Sequence, residues 1–383
     1  MKTIFEKIFW FALALLALVS VVAGFRNGLQ LVDFQWLPVK ILCNGENPYL
    51  YSLNGVKFMG CQVDANQVPS CLALLLPFAF LSRWWANAAW DVLNLIFTAA
   101  FFFFVWKLWF EDRLEGGSFW LVVLITLIGL PWRVLVGNGQ HLMFSLAFFT
   151  AALFAAERGR KFLSGVLLAL SLFKYTTIAP LCFIFLFRKE WRAIVICAVI
   201  HLFLTFGAGV YLGENPVLLV LQSLKVGSGL TAAGIADIAS LFASFDVGHL
   251  KMWANMGYVI YGALCFLIAF VGKKDALLKL SALAIVSNVM FYHRVYDFVT
   301  LLFPLVLVIR DWRKQDTLNR IIRYLTIVNI VWTFFVLKAV DIAHIYCHPV
   351  AITFSLEHLL LGSLILLSFR RNLKTTQSSN GAE

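Results

Sequence analysis

The 383-residue chain is 61% hydrophobic and 13% charged, with 37 Phe and 13 Trp, whereas soluble domains carry about 25% charged residues. That balance excludes a soluble globule. The net charge of +11 does not indicate nucleic-acid binding, because the basic residues sit in short clusters between apolar runs and not along one face.

Apolar runs near bilayer length recur from Phe9 to Phe369, which predicts an all-α polytopic membrane protein. The N-terminal run has a basic end, a long apolar core and small residues near Ala23-Gly24. Its core is long for a signal peptide and a multi-span chain needs no cleavage, so it is expected to be an uncleaved first helix. Lys2 and Lys7 put the N-terminus inside. The later basic clusters are Arg158/Arg160/Lys161, Arg188/Lys189/Arg192, Lys273/Lys274, Arg310/Arg313/Lys314 and Arg370/Arg371/Lys374. All are cytoplasmic if helices run roughly 8–25, 86–109, 119–136, 142–156, 162–173, 176–187, 193–212, 253–271, 277–292, 298–310, 321–340 and 351–369. The expectation is one domain (1–383) of about 10–12 spans. Both ends lie inside and 370–383 forms a short cytoplasmic tail.

The apolar piece 68–82 is left out of that count. It would reach only about 21 Å against a ~30 Å core, and counting it as a span would turn every later basic cluster outward. It is expected to be a re-entrant or interfacial helix, a reading that Pro69 and Pro77 fit. Residues 27–84 then form a first outer loop, with Trp36, Trp84 and Trp85 at headgroup depth, and 213–252 form a second. Cys43 and Cys61 share the first loop, which allows a disulfide without requiring one.

This topology brings several polar stretches to the outer side. They are Asp33 with Asn47-Pro48-Tyr49, Arg133 with Gly137-Asn138-Gly139-Gln140-His141, Lys174-Tyr175, and Tyr292-His293-Arg294-Val295-Tyr296-Asp297. The second outer loop adds Asp237, Asp246 and His249. There is no P-loop, Gly-rich dinucleotide turn, DxD pair, HExxH or GxSxG. A donor met at the outer face cannot easily be a cytosolic nucleotide sugar, and a lipid-phosphate-linked sugar fits better.

The motifs D-F-x(n)-N-G-x-N-P-Y from Asp33 to Tyr49 and G-N-G-Q-H at 137–141 resemble glycosyltransferase family 87. So do G-V-L-L-A-L-S-L-F-K ending at Lys174, the later F-R-K-E-W-R-A, and H-x-x-Y-D at 293–297. The similarity spreads over about 30 to 310, and the order and spacing of the motifs carry it. Departures are Val68-Pro69-Ser70, where the family has an aromatic and paired prolines, and Gln140-His141-Leu142 for the family's Gln-x-Asn. The resemblance implies the C-type glycosyltransferase fold (GT-C) and a polyprenyl-phosphate-linked donor, mannose by preference. It also implies a base in the first outer loop, which falls here on Asp33.

Such chemistry needs a base for the acceptor hydroxyl, cations or donors for the leaving phosphate, and a lipid groove. Asp33 is the candidate base; the bland reading is a helix cap or a surface charge. His293 and Arg294 could bind or protonate the phosphate, lined by Tyr292 and Tyr296, or simply anchor a helix end. Asp297 is expected to orient a neighbour such as His293, or to cap a helix. Lys174 could bind phosphate or sugar, or snorkel.

Gln140 and His141 could bind sugar hydroxyls or open a helix, and Arg133 could clamp phosphate or anchor at the interface. Tyr49 and Asn47 are supporting residues. Asp91, His201, Glu357 and His358 are read as packing groups inside the bundle. No cofactor is expected, nor a metal, since the loops show no carboxylate cage. The implied partners are the lipid-linked sugar, a lipid or glycan acceptor and membrane lipids, with a bacterial cytoplasmic membrane as the location. The competing readings are a transporter or flippase of a lipid-linked sugar, for which no internal repeat is found, and a non-catalytic assembly subunit.

Overall fold

The computed structural model describes residues 2–30, 35–111, 116–228, 237–245, 248–270, 275–291, 293–337 and 349–379. Asp33, Asp246 and Tyr292 lie outside them. The long helices are α1 (Lys2–Leu29), α6 (Arg83–Trp109), α12 (Trp191–Leu212), α15 (Leu250–Phe270) and α19 (Pro349–Ser379). Shorter ones fill the interior: α7 (Gly116–Ile128), α8 (Leu130–Gly137), α9 (Leu142–Glu157), α10 (Lys161–Ser171), α11 (Tyr175–Phe187), α16 (Ala276–Met290), α17 (Leu302–Arg310) and α18 (Thr317–Val331). The described part of every expected span is thus occupied by helix.

Six stretches are long and apolar enough to cross a bilayer, or seven if the pair Ser118–Ile128 and Leu130–Gly137, bent by 54°, is one span. The fold is therefore an all-α polytopic membrane fold, although fewer helices cross unaided than the sequence suggests. Leu142–Glu157 and Ala276–Met290 are too short for that by length, and they are sheathed by longer neighbours.

One long stretch, Lys161–Phe187, meets the length criterion but does not run straight. Its backbone leaves the helix at Lys174 (φ −97°, ψ 67°), after a 3-10 turn at Leu172–Lys174. Arg188 then returns to pair with Glu157 at 3.0 Å. A straight helix of that length would hold its ends about 40 Å apart. The stretch is two short arms meeting at Lys174, as the sequence suggests.

Ion pairs gather the loops at one end of the bundle. Besides Arg188–Glu157, Arg310 reaches Asp275 at 2.7 Å and Arg370 reaches Asp316 at 3.4 Å. Buried Lys279 joins the two groups. It lies 3.9 Å from the Phe187 ring centroid and donates to Ile268 O (2.9 Å) and Ala269 O (3.0 Å), the last carbonyls of α15, which no helical N–H can satisfy. Where helices touch most closely, glycine stands at the contact. A Cβ on Gly165 would fall 2.6 Å from Ile196 Cβ, and one on Gly28 2.3 Å from the Asp91 carboxylate, as small residues permit in membrane bundles.

The opposite end carries the loops. After α1 come α2 (Trp36–Cys43), α3 (Pro48–Leu53), a hairpin of β1 (Lys57–Phe58) with β2 (Cys61–Gln62), α4 (Pro69–Leu74) and α5 (Leu76–Ala79). Residues 68–82 therefore form two short helices. The first turn of α4 is buried, and its Ser70 Oγ meets His201 Nδ1 at 2.8 Å, eleven residues before the end of α12, so α4 dips into the bundle while Pro77, Phe80 and Leu81 return to its surface. Cys43 and Cys61 are free thiols. The second loop folds into α13 (Pro216–Ser228) and α14 (Ile238–Ser244).

Candidate functional site

Helix α8 ends in the turn 137–141 that leads into α9, whose N-cap is His141, so the run opens a helix as the sequence suggests and also closes the one before it. Gly139 N donates to Val136 O (2.9 Å) and Gln140 N to Leu135 O (2.9 Å), a Schellman stop, with Gly139 at φ +56° where a side chain is strained. The turn is held from the side by a polar stripe on α6. Asn87, Trp90, Asp91, Asn94 and Thr98 are all buried, at the spacing that puts them on one helix face. Trp90 Nε1 donates to Gly139 O (2.9 Å) and Trp132 Nε1 to Thr98 Oγ1 (3.1 Å). With its amide turned to satisfy both neighbours, Asn94 donates to Gln140 O at 3.2 Å. That stripe is legible in the sequence as Asn87-x2-Trp90-Asp91-x2-Asn94, and reading Asp91 alone missed it.

Gln140, so placed, faces the break between α10 and α11. Lys174 Nζ stands 3.5 Å from Gln140 Oε1, 3.5 Å from Asp297 Oδ1 and 4.9 Å from the Tyr296 ring centroid. Lys174 N is fixed by Ser145 Oγ at 2.9 Å. Asp297 belongs to the 3-10 turn Val295–Leu301, and its Oδ2 accepts from Arg294 N (3.0 Å). Its Oδ1 is buried and, among the described residues, makes no hydrogen bond beyond the long contact to Lys174. Of the two readings of Asp297, orienting His293 or capping a helix, the hydrogen bond shows the cap: it caps its own turn, and it pairs with Lys174.

His293 is fully buried and does not anchor at an interface. Its Nδ1 lies 2.8 Å from Phe291 O and its Nε2 3.3 Å from Thr177 Oγ1. A carbonyl can only accept, so Nδ1 carries the proton and Nε2 accepts from the threonine hydroxyl in the neutral ring. Burial holds this imidazole below its ordinary value, while Asp297, Phe291 O and Asp237 pull the other way.

Asp237 caps α14, accepting from Ser240 N (2.9 Å) and Ser240 Oγ (2.7 Å). Burial pushes its carboxyl above the usual range against those bonds and the pull of His293. Two buried carboxylates, one imidazole and one ammonium therefore interact within the site. Environments of this kind recur at functional sites.

Other expected residues stand apart. His141 is enclosed between Trp90 (4.9 Å between ring centroids) and Phe173 (4.6 Å), a packed position and not an open sugar-facing one. Tyr49 is buried and donates to Gln67 O at 2.8 Å; Asn47 caps α3 and donates to Gln222 Oε1 at 2.9 Å. Tyr49 braces the first loop from within, and Asn47 ties it to the second. Burial raises the Tyr49 phenol well above its ordinary value. Arg294 is exposed and Arg133 half-buried.

The family model of glycosyltransferase family 87 matches residues 68–328, which include the Gly139 turn, Lys174, Asp237, His293 and Asp297. The chain belongs to glycosyltransferase family 87. No curated protein and no solved structure matches it. As a member of that family it is a membrane glycosyltransferase. The match leaves out α1 and α19, although Gly28 on α1 packs against Asp91 of the stripe.

Proposed function

We propose that this glycosyltransferase moves a hexose, mannose by the family resemblance, from a polyprenyl-phosphate-linked donor to a lipid or glycan acceptor at the outer face of the membrane. The observation that carries this reading is Lys174. Its ammonium is nearly enclosed, yet its contacts to Gln140 and Asp297 are both 3.5 Å. A phosphate oxygen would make a charge-assisted bond of about 2.8 Å there, better than any the side chain now has. Lys174 is the cation for the departing polyprenyl phosphate, Gln140 and Tyr296 line the sugar end, and exposed Arg294 receives the phosphate at the rim.

His293, with Nε2 unprotonated, orients through Thr177 and can take a proton as phosphate charge develops. Asp33 is assigned as the base that removes the acceptor hydroxyl proton; Asp237 and Asp297, the acids that interact with His293, are the alternatives. The basic clusters at the opposite end, including those of the Arg188–Glu157 and Arg310–Asp275 pairs, favour its assignment to the cytoplasm. This orientation gives the site an outer-leaflet substrate.

The deciding experiment is sugar transfer from synthetic polyprenyl-phosphate-mannose by purified protein, wild type against Asp33→Asn. Transfer by the first and near-complete loss in the second supports donor and base together. Full activity in Asp33→Asn removes Asp33 and shifts the role to Asp237 or Asp297. No transfer by wild type from any polyprenyl-phosphate hexose, with lipid-sugar flipping observed instead, overturns the reading.

A further inference from the structure

The last helix, α19, lies beyond the family match, and it carries a carboxylate where none is needed for packing. Glu357 is fully buried in an apolar part of α19. An ionisable side chain at such depth costs several kcal/mol, which apolar packing would avoid. Its Oε1 accepts from Asn288 Nδ2 on α16 at 2.9 Å, and Asn288 Oδ1 accepts from Thr300 Oγ1 at 3.0 Å. Thr300 sits in the 3-10 turn Val295–Leu301, and its hydroxyl also lies 2.9 Å from Asp297 O. Asn288 and Thr300 are as fully buried as Glu357. The chain of contacts runs from α19 through α16 to the residue that pairs with Lys174.

The direction of the middle amide is what matters. Asn288 could present either its oxygen or its NH2 to Thr300. With Glu357 Oε1 as acceptor, the NH2 of Asn288 faces Glu357 and its carbonyl oxygen faces Thr300. The adjacent residue secures the other wall: Ser287 Oγ donates to Thr177 O at 3.0 Å, and Thr177 holds His293. Helix α19 is itself pinned beside Glu357 by Asn329 Nδ2, which donates to Leu356 O at 3.2 Å.

We propose that Glu357 is a positioning residue for the transferase site: through Asn288 and Thr300 it locks the turn that sets Asp297, and so Lys174, in place. The inference rests on the functional reading above for its kinetic consequence but not for its structural one. Glu357 contacts neither donor nor acceptor; it acts through the turn.

The test compares Glu357→Leu, Glu357→Gln and Thr300→Val in folded, monodisperse protein. Glu357→Leu is expected to lower kcat about 10- to 100-fold, the scale of an ångström-level misplacement, with KM for polyprenyl-phosphate-mannose within about twofold. Glu357→Gln keeps an acceptor for Asn288 and is expected to restore most of that kcat. Because Glu357 and Thr300 act along one chain, Glu357→Leu/Thr300→Val should be little worse than the more severe single variant.

Hydrogen–deuterium exchange supplies the readout that does not depend on catalysis: Glu357→Leu should speed exchange across 293–301 about tenfold or more, with 142–157 unchanged. Faster exchange confined to α19, or an unchanged kcat per folded enzyme, overturns the proposal. If wild type transfers no sugar, the functional reading falls and the exchange result alone decides the positioning claim.

Discussion

Lys174 shows why a side chain's partners matter more than its burial. An ion pair enclosed on both sides is expensive unless both ends are saturated with hydrogen bonds, and here Asp297 Oδ1 has none among the described residues. An incomplete pair of this kind suits a site that a third, anionic group completes. Lys174→Gln removes the charge and leaves an amide to face Asp297. We expect kcat/KM for the lipid-phosphate sugar to fall about 10²- to 10³-fold, the loss typical of one electrostatic donor, and Lys174→Arg to recover part of it. Equal rates in Lys174→Gln and wild type would remove Lys174 from the reaction.

His293 yields a pH prediction. Its folded-state value lies below the unfolded one because burial disfavours the imidazolium. Protons therefore bind the unfolded chain more readily, and this contribution to stability is full above the ordinary histidine value near 6.5 and is lost as pH falls below it. Asp237 has the opposite sign: its raised carboxyl favours the folded state at low pH and loses that advantage as pH rises through the folded value. Thermal unfolding of wild type and His293→Gln between pH 7.5 and 5 separates them. Wild type should lose Tm more steeply than the variant as pH drops; parallel curves would show that His293 is not the group responsible.

At the scale of elements, the sequence pattern was most informative where a single physical rule decided the outcome. Length and charge clusters located the helices, and the break at Lys174 followed from a cation between two short apolar arms. Pattern reading failed where tertiary partners decide. The polar run 137–141 does open α9 at Leu142, as its residue types suggest, but the pattern does not show that Gly139 also closes the preceding helix, where its positive φ is cheap only for glycine. His141 reads as a ligand until Trp90 and Phe173 are seen to enclose it. Asp91 reads as an isolated acid until the stripe from Asn87 to Thr98 is set on one face.

The stripe makes a close-packing prediction at this scale. A methyl on Gly28 would strike the Asp91 carboxylate at 2.3 Å, so Gly28→Ala should cost about 1–3 kcal/mol by overpacking, seen as a lower Tm in detergent. Adding Asp91→Ala opens the space again, and the double variant should regain part of that loss. Additive losses would place the strain elsewhere.

For the molecule as a whole, the sequence carried the class of fold but not how the spans divide the work. Charge clustering implied about a dozen crossings, while the structure sets six or seven helices of spanning length around shorter ones. The short arms meet at Lys174 within the bundle, which is how a membrane protein can bury non-helical backbone: it lines a site and is not exposed to lipid. The remaining global question is which side the site faces. Asn138, in the exposed part of the Gly139 turn, and Arg160, in the exposed loop after α9, lie at opposite ends of the bundle. Single cysteines at the two positions, Asn138→Cys and Arg160→Cys in a cysteine-free background, can be probed with a membrane-impermeant maleimide. With the site facing outward, Asn138→Cys labels in intact cells and Arg160→Cys labels only after permeabilisation. The reverse pattern would turn the site toward the cytoplasm and, with it, reopen a nucleotide sugar as donor, because the argument for a lipid-linked donor depends on the outer face.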